Sequence, residues 1–236
     1  LPGSVVRLGR ALIESLPRAW RSRREVARAH RFLLQAARPL PDRYLAWCSF
    51  FSQDLLAELL TVPPADGIRD SFDHCLQQTE GRALLHRLLH LNFKTYLPDD
   101  LLVKMDRMSM AHALEMRSPF LDTALVEYAA SLSPRCKING RKLKYLLKKA
   151  FADLLPAEIL NRGKRGFGVP LGAWFRNELK EPVGDILLTG SPRYRPYLRK
   201  EIVDRIFRHH QDGIMDCGMQ LWALLNFEIW LRSTSP

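Results

Sequence analysis

The sequence of 236 residues has only four cysteines, at 48, 75, 136 and 217, and no C-x-x-C pair. A zinc ribbon needs closer spacing and a disulfide framework needs a denser set. Thiols this far apart fit a reducing compartment, so the cytoplasm is the expected location. No apolar run approaches the ~20 residues of a membrane helix. The best candidate, residues 219–227, is short and carries Gln220 and Asn226. No apolar stretch near the N-terminus marks a secretory signal. Glycine (13) and proline (15) are few and scattered, which excludes collagenous and low-complexity chains. A Walker-type phosphate loop, a fixed-period repeat and convincing alternating strands are also lacking. The first residue is Leu1 rather than Met, and the chain is read as a piece of a larger protein.

What is present is ordinary globular composition, with 47% hydrophobic and 26% charged residues. That apolar content excludes disorder as the main state, and the length can bury a sizeable core. The net charge of +11 is unevenly placed: residues 1–43 carry +7, 44–133 carry −5, 134–165 carry +8 and 166–236 carry +1. Two focused basic blocks could hold polyanions, although an evenly basic nucleic-acid binder would look different.

Almost every segment repeats at helical period. Helices are expected near residues 4–16, 22–37, 54–60, 79–96 and 98–113. Further helices are expected near 123–131, 141–153, 171–179, 181–188, 198–211 and 218–232. Pro98 opens one of them at its first turn, with Asp99 and Asp100 where a helix N-terminus favours carboxylates. Asp122 reads as an N-cap. Pro39 and Pro41 read as breakers. Only 115–119 and 135–138 read as short extended pieces, and the chain reads as all-α.

Three constellations could carry chemistry. In the first, a helix from Pro98 runs into Glu115 and Arg117, ahead of Pro119. A carboxylate and a guanidinium two apart in an extended stretch point the same way, and could set a general base beside an anion clamp. The bland reading is a salt-bridged junction. In the second, Arg141–Lys149 is read as a basic helix. Lys144 and Lys148 then share a face, mildly repelling unless an anion lies between them. The bland reading is a solvated face. The third is Arg162-Gly-Lys-Arg-Gly-Phe-Gly-Val-Pro170, whose Lys164, Gly166 and Gly168 could bring backbone N–H groups and charge to phosphate. Weaker features are His86 and His90, an i, i+4 pair without an evident third metal ligand; His209-His210, expected at the surface; and Trp222, Phe227 and Trp230, expected in the core rather than as a base-stacking platform.

The run Leu-Pro-Asp-Asp-Leu-Leu-Val-Lys-Met-Asp-Arg-Met-Ser-Met-Ala, followed by Leu-Glu-Met-Arg-Ser-Pro-Phe-Leu-Asp122, strongly resembles glutamine-hydrolysing asparagine synthetases. The basic segment and the Lys-Arg-Gly-Phe-Gly-Val-Pro-Leu run follow in the family's order. The resemblance is close over about 90–185 and looser elsewhere. It implies that 1–236 is the mostly α, C-terminal helical portion of an α/β synthetase domain of the adenine-nucleotide alpha-hydrolase-like, ATP pyrophosphatase type. The family's reaction adenylylates aspartate with Mg-ATP, and ammonia from glutamine then displaces AMP to give asparagine. The implied catalytic residues are Lys144, on the phosphates, and Glu115, which orients groups or takes a proton. The implied phosphate-binding residues are Arg117, Lys164, Gly166 and Gly168, and no metal ligand is implied here. ATP, aspartate and ammonia are the implied partners. No membrane partner is expected and nucleic acid is disfavoured, while homo-oligomerisation stays open. The family's Ser-Gly-Gly-x-Asp-Ser nucleotide loop and catalytic N-terminal cysteine have no counterpart in the sequence. The fragment alone is therefore expected to be inactive. A related synthetase acting on another carboxylate, or a stand-alone helical polyanion binder, are the alternatives.

Overall fold

The computed structural model describes residues 3–15, 17, 38–63, 67–163 and 168–234, together with isolated positions between 26 and 36. The helix expected over 22–37, and Lys164 and Gly166, lie largely or wholly outside the described residues. The chain divides into two compact units. One joins residues 1–66 to 167–236, and the other is 67–166. No helix among the described residues is long and apolar enough to cross a membrane.

The first unit contains α1 (Gly3–Glu14), α2 (Leu40–Cys48) and α3 (Gln53–Leu59). Its later half adds α11 (Leu171–Arg176), α12 (Lys180–Leu188), α13 (Lys200–Gln211) and α14 (Gly218–Thr234). Helix α2 corrects the reading of Pro39 and Pro41 as breakers alone. Pro39 occupies the N-cap and Pro41 the first turn, where a missing N–H costs nothing. In α3 the Ser52 hydroxyl accepts the Leu55 N–H. The core of this unit centres on Phe175, Leu187, Tyr194, Val203 and Leu221, all fully buried. Leu59 joins that core from the early half. A single antiparallel bridge links Leu60 to Leu198, with Thr61 N–H donating to Tyr197 O at 2.9 Å and Arg199 N–H to Leu59 O at 2.8 Å. Helices α11 and α14 cross at glycines, and a Cβ on Gly218 would lie 2.9 Å from the Gly172 nitrogen.

Two buried polar side chains organise this unit. Glu228, in the otherwise apolar α14, accepts the N–H of Arg193 at 3.1 Å and of Tyr194 at 2.9 Å, and Arg232 Nε at 2.7 Å. The turn it holds presents Tyr194, whose hydroxyl donates to Leu187 O at 2.7 Å. Burial is the main cause that pushes this phenol up to about 12. His210 was expected at the surface and is instead fully buried. Its Nδ1 accepts the Cys217 N–H and its Nε2 donates to Gly172 O, both at 3.0 Å. Those partners fix a neutral ring. Burial, with help from the Arg176 charge, depresses its proton affinity.

The second unit contains α4 (Gly67–Gln77), α5 (Leu84–Lys94), a π-helical stretch Leu97–Leu102 and α6 (Val103–Met110). After a 3₁₀ turn at Pro119–Leu121 come α7 (Thr123–Ser131), which Asp122 caps through the Leu125 N–H, and α8 (Pro134–Lys137). Strands β1 (Ile138–Asn139) and β2 (Lys142–Leu143) form a hairpin, followed by α9 (Tyr145–Ala150) and α10 (Ala157–Asn161). The basic segment is therefore not one helix over 141–153. Gly140, at φ +59, begins a two-residue loop, and Ile138 pairs with Leu143. Glycine in the first loop position is the order that type II′ hairpins use. Among the described residues of this unit only Phe72, Leu76 and Leu91 are buried apolar side chains. In the basic segment Leu143, Leu147 and Phe151 are exposed and Leu146 is half-buried.

Two stability predictions follow from the first unit. The unfolded-state pKa of His210 is about 6.5, and its folded-state value is lower, so below that pH the unfolded chain binds more protons. Stability is fully present above about pH 6.5 and falls as pH drops below it, by at most about 2 kcal/mol down to pH 5. Thermal unfolding followed by circular dichroism from pH 7.5 to 5 reads this slope, and His210→Asn should flatten it. Glu228→Ala strands two backbone donors and should cost about 3 kcal/mol in urea unfolding, whereas exposed Glu178→Ala should stay within about 0.5 kcal/mol.

Candidate functional site

The residues singled out in the sequence fall mainly in the second unit. Helix α6 ends in a Schellman arrangement: Leu114 N–H donates to Ser109 O and Ala113 N–H to Met110 O, each at 3.0 Å. Ala113 occupies the left-handed position of that motif, at φ +56, where glycine is usual. The chain then runs extended through Glu115 and Arg117 to Ser118, as Pro119 requires. Glu115 Oε1 accepts both Arg117 Nε and Arg117 Nη2 at 2.9 Å. Both side chains are exposed, so this pair adds little stability. A second carboxylate oxygen and the remaining guanidinium nitrogen stay free to meet a ligand among the described residues.

Lys144 sits between the hairpin and α9. It is the N-cap of α9 and has left-handed backbone at φ +55. Its carbonyl accepts the Lys148 N–H at 2.9 Å, so it starts the helix rather than lying within it. Side chains at 144 and 148 are thus not an i, i+4 pair on a continuous helix. Lys144 is exposed, and no hydrogen bond or ion pair joins it to Glu115 or Arg117 among the described residues. Neither do Arg141, Lys142, Lys148 or Lys149 find an acidic partner there. Uncompensated cations on a hairpin and the turn after it form a surface suited to a polyanion.

Gly168 belongs to the first unit. It has no positive φ, and a Cβ there would meet open space. Glycine at 168 is therefore not demanded by backbone conformation or crowding.

The histidine pair separates into two unrelated roles. His86 Nε2 lies 3.0 Å from Lys137 Nζ, which also donates to Leu132 O at 2.6 Å and Ala130 O at 3.3 Å. Lys137 thereby caps the C-terminal end of α7, where a cation is favoured, while burial lowers its pKa. His90 Nε2 donates to Gln78 Oε1 at 3.1 Å, and burial, then the Lys94 charge, lowers its pKa. Among the described residues no three His, Cys, Asp or Glu side chains converge as a metal site. Trp222 and Trp230 are exposed rather than core, and Phe227 is half-buried. Sequence reasoning missed the hairpin, although Gly140 at the first position of the Gly140-Arg141 loop is a signal for one. It also missed the two left-handed residues, for which non-glycine sequence gives no signal.

The chain matches the family model for asparagine synthase over residues 7–232. It is similar to asparagine synthetase [glutamine-hydrolyzing] 1 of Bacillus subtilis, at 30% identity over 207 residues, covering 87% of this chain and 32% of that protein. It is also similar to the asparagine synthetases [glutamine-hydrolyzing] of Mesocricetus auratus, 31% identical over 150 residues, and of Homo sapiens, 29% over 150. These two alignments cover 57% of this chain and 26% of each relative. No solved structure gives a significant match. The chain thus spans about a third of the length of its bacterial relative. The match runs through nearly all of both units, and the chain belongs to the asparagine synthase family.

Proposed function

We propose that the chain is the C-terminal helical part of an ATP-dependent asparagine synthetase that adenylylates the aspartate carboxylate and amidates it with ammonia from glutamine, releasing AMP and pyrophosphate. The observation that carries this reading is backbone strain. The only non-glycine residues with positive φ among those described are Lys144 itself and Ala113, two residues before Glu115. Left-handed backbone costs an L-residue about 1–2 kcal/mol. Strain of this kind concentrates where a side chain must be aimed.

The chemistry follows from the groups. The Lys144 ammonium, projecting from a helix-starting turn, stabilises negative charge as the carboxylate attacks the α-phosphate and pyrophosphate departs. Arg117 holds a phosphate oxygen with the part of its fork that Glu115 leaves free. Glu115, oriented by Arg117, receives a proton from the attacking ammonia. Lys164, Gly166 and Gly168 supply charge and close backbone approach to the phosphates. The large apolar surface of the second unit, with Met108, Leu114, Phe120, Tyr128 and Leu154 each more than 60% exposed, is what a helical layer built against a further nucleotide-binding layer would show. Four free thiols fit a cytoplasmic setting.

In the full-length enzyme containing this chain, Lys144→Ala should lower AMP formation by about 100-fold or more, with glutaminase activity retained. Lys144→Gly should lower it equally while raising stability by about 1 kcal/mol, because glycine accepts the left-handed backbone. AMP formation unchanged in both variants would overturn the assignment.

A further inference from the structure

Helix α11 begins directly after Gly168-Val169-Pro170. The join is tight: Leu171 N–H donates to Val169 O at 2.8 Å, and the Ala173 and Trp174 N–H groups both donate to Pro170 O at 3.0 Å. Six residues make too short a helix to hold its own place. Its direction is imposed by the end of α13, through side chains that bond its backbone. The buried His210 ring donates from Nε2 to Gly172 O at 3.0 Å. Gln211 Nε2 donates to Phe175 O at 2.6 Å, and Arg176 Nε returns a bond to His210 O at 2.9 Å. The His210 bond is the one that meets the first turn of α11, beside Pro170.

The packing at this point has no slack. A Cβ on Gly172 would lie 2.7 Å from Asp216 Oδ1. The other ring nitrogen of His210, Nδ1, is committed as acceptor of the Cys217 N–H. The charged and titratable groups that face the ring are Arg176 from α11, and Asp216 and Cys217 from the connection between α13 and α14. Asp216 Oδ1 lies 3.6 Å from Nδ1 and 3.9 Å from Arg176 Nη2, and it accepts the Gly218 N–H at 3.1 Å. A proton on Nδ1 would meet the Cys217 N–H donor to donor. Asp216 Oδ1 is the acceptor beside it, and a ring turned towards that oxygen loses its alignment on Gly172 O.

We propose that His210 is a positioning residue: its neutral ring, by holding Gly172 O, sets the start of α11 and with it the Gly168–Pro170 stretch, a role that rests on the phosphate reading of Gly168. His210 itself touches no substrate. It acts through the backbone of α11, so its protonation weakens the hold on ATP rather than removing a proton-transfer group. Burial and the Arg176 charge lower its proton affinity. The neutral, working form therefore prevails above about pH 6.5, and the hold loosens as pH falls through the lower folded-state value. The two bonds of the ring can be separated by substitution. An asparagine carboxamide reaches about as far as Nδ1, and a glutamine carboxamide about as far as Nε2.

Steady-state kinetics on the full-length enzyme containing this chain, with hydrogen exchange over residues 171–176, tests this. His210→Gln keeps a donor for Gly172 O and should hold the KM for ATP within about twofold of the parent. His210→Asn keeps the Cys217 bond but falls short of Gly172 O. It should raise that KM about tenfold, the weight of one buried hydrogen bond, with glutaminase activity and the KM for aspartate unchanged. Exchange over α11 should quicken in the Asn variant alone. Between pH 7.5 and 5.5 the KM for ATP should climb more steeply in the parent than in His210→Gln, which has no ring to protonate. Tyr194→Phe removes a buried hydrogen bond elsewhere in the same unit, and should lower stability while leaving the KM for ATP alone. Equal KM values for ATP in the Asn and Gln variants overturn the inference, as does a matching rise in Tyr194→Phe. Lys144→Ala separates the two levels. If it abolishes AMP formation while the two His210 variants behave alike, the positioning role alone fails; if it leaves AMP formation unchanged, the phosphate reading fails with it.

Discussion

The first unit depends on one buried carboxylate. Glu228 is an acid in a helix otherwise rich in leucine and aromatics, and it is tolerable there because three donors converge on it. Without them a buried charge of this kind is strongly destabilising. By holding the N–H groups of residues 193 and 194 it fixes a turn that has no regular structure of its own. That turn seats Tyr194 against the end of α12, then passes through Leu198, whose bridge to Leu60 draws in α3. Arg199 reinforces the join by donating to Glu58 O, and Arg205 pairs with the Glu58 carboxylate. A single side chain on the last helix therefore reaches, in three steps, a segment that precedes it by some 170 residues.

The second unit is built on the opposite plan. It buries few large side chains and spends its local conformational cost on two left-handed residues. Ala113 turns the chain out of α6 into the stretch bearing Glu115 and Arg117. Lys144 turns it out of the hairpin into α9. In both places a helix terminus, rather than a core, sets the direction of a charged side chain. Such termini leave backbone groups without helical partners, which tolerate polar exposure.

Much of the helical layout was legible because amphipathic stripes bounded by proline and capping residues leave a periodic trace. Helices α1, α3, α7, α12, α13 and α14 lie close to their expected positions. What was not legible has specific physical causes. A proline can end one helix and open the next, and α2 uses both senses. The Lys-rich segment 141–149 has helical composition, yet the Gly140-Arg141 turn imposes a hairpin on its first third, so local turn chemistry overrode propensity. The aromatics of α14 were read as core because apolar residues on both sides of a helix leave no contrast. His210 looked like a surface residue because its burial depends on Gly172 and Cys217, whose proximity no local pattern encodes. For the candidate site, the residue types and their grouping were readable. The left-handed backbone that aims them was not, since neither alanine nor lysine advertises it.

The discontinuous make-up of the first unit has a consequence for how the chain is made. Leu59 belongs to a core whose other members run from Phe175 to Leu231. During synthesis α3 cannot complete that core until the second unit and then the closing helices have left the ribosome. Such long loop closure is slow, because the entropy of ordering is lost before the contacts that offset it exist. Completion of this unit thus waits for α14, whose Glu228 is its keystone.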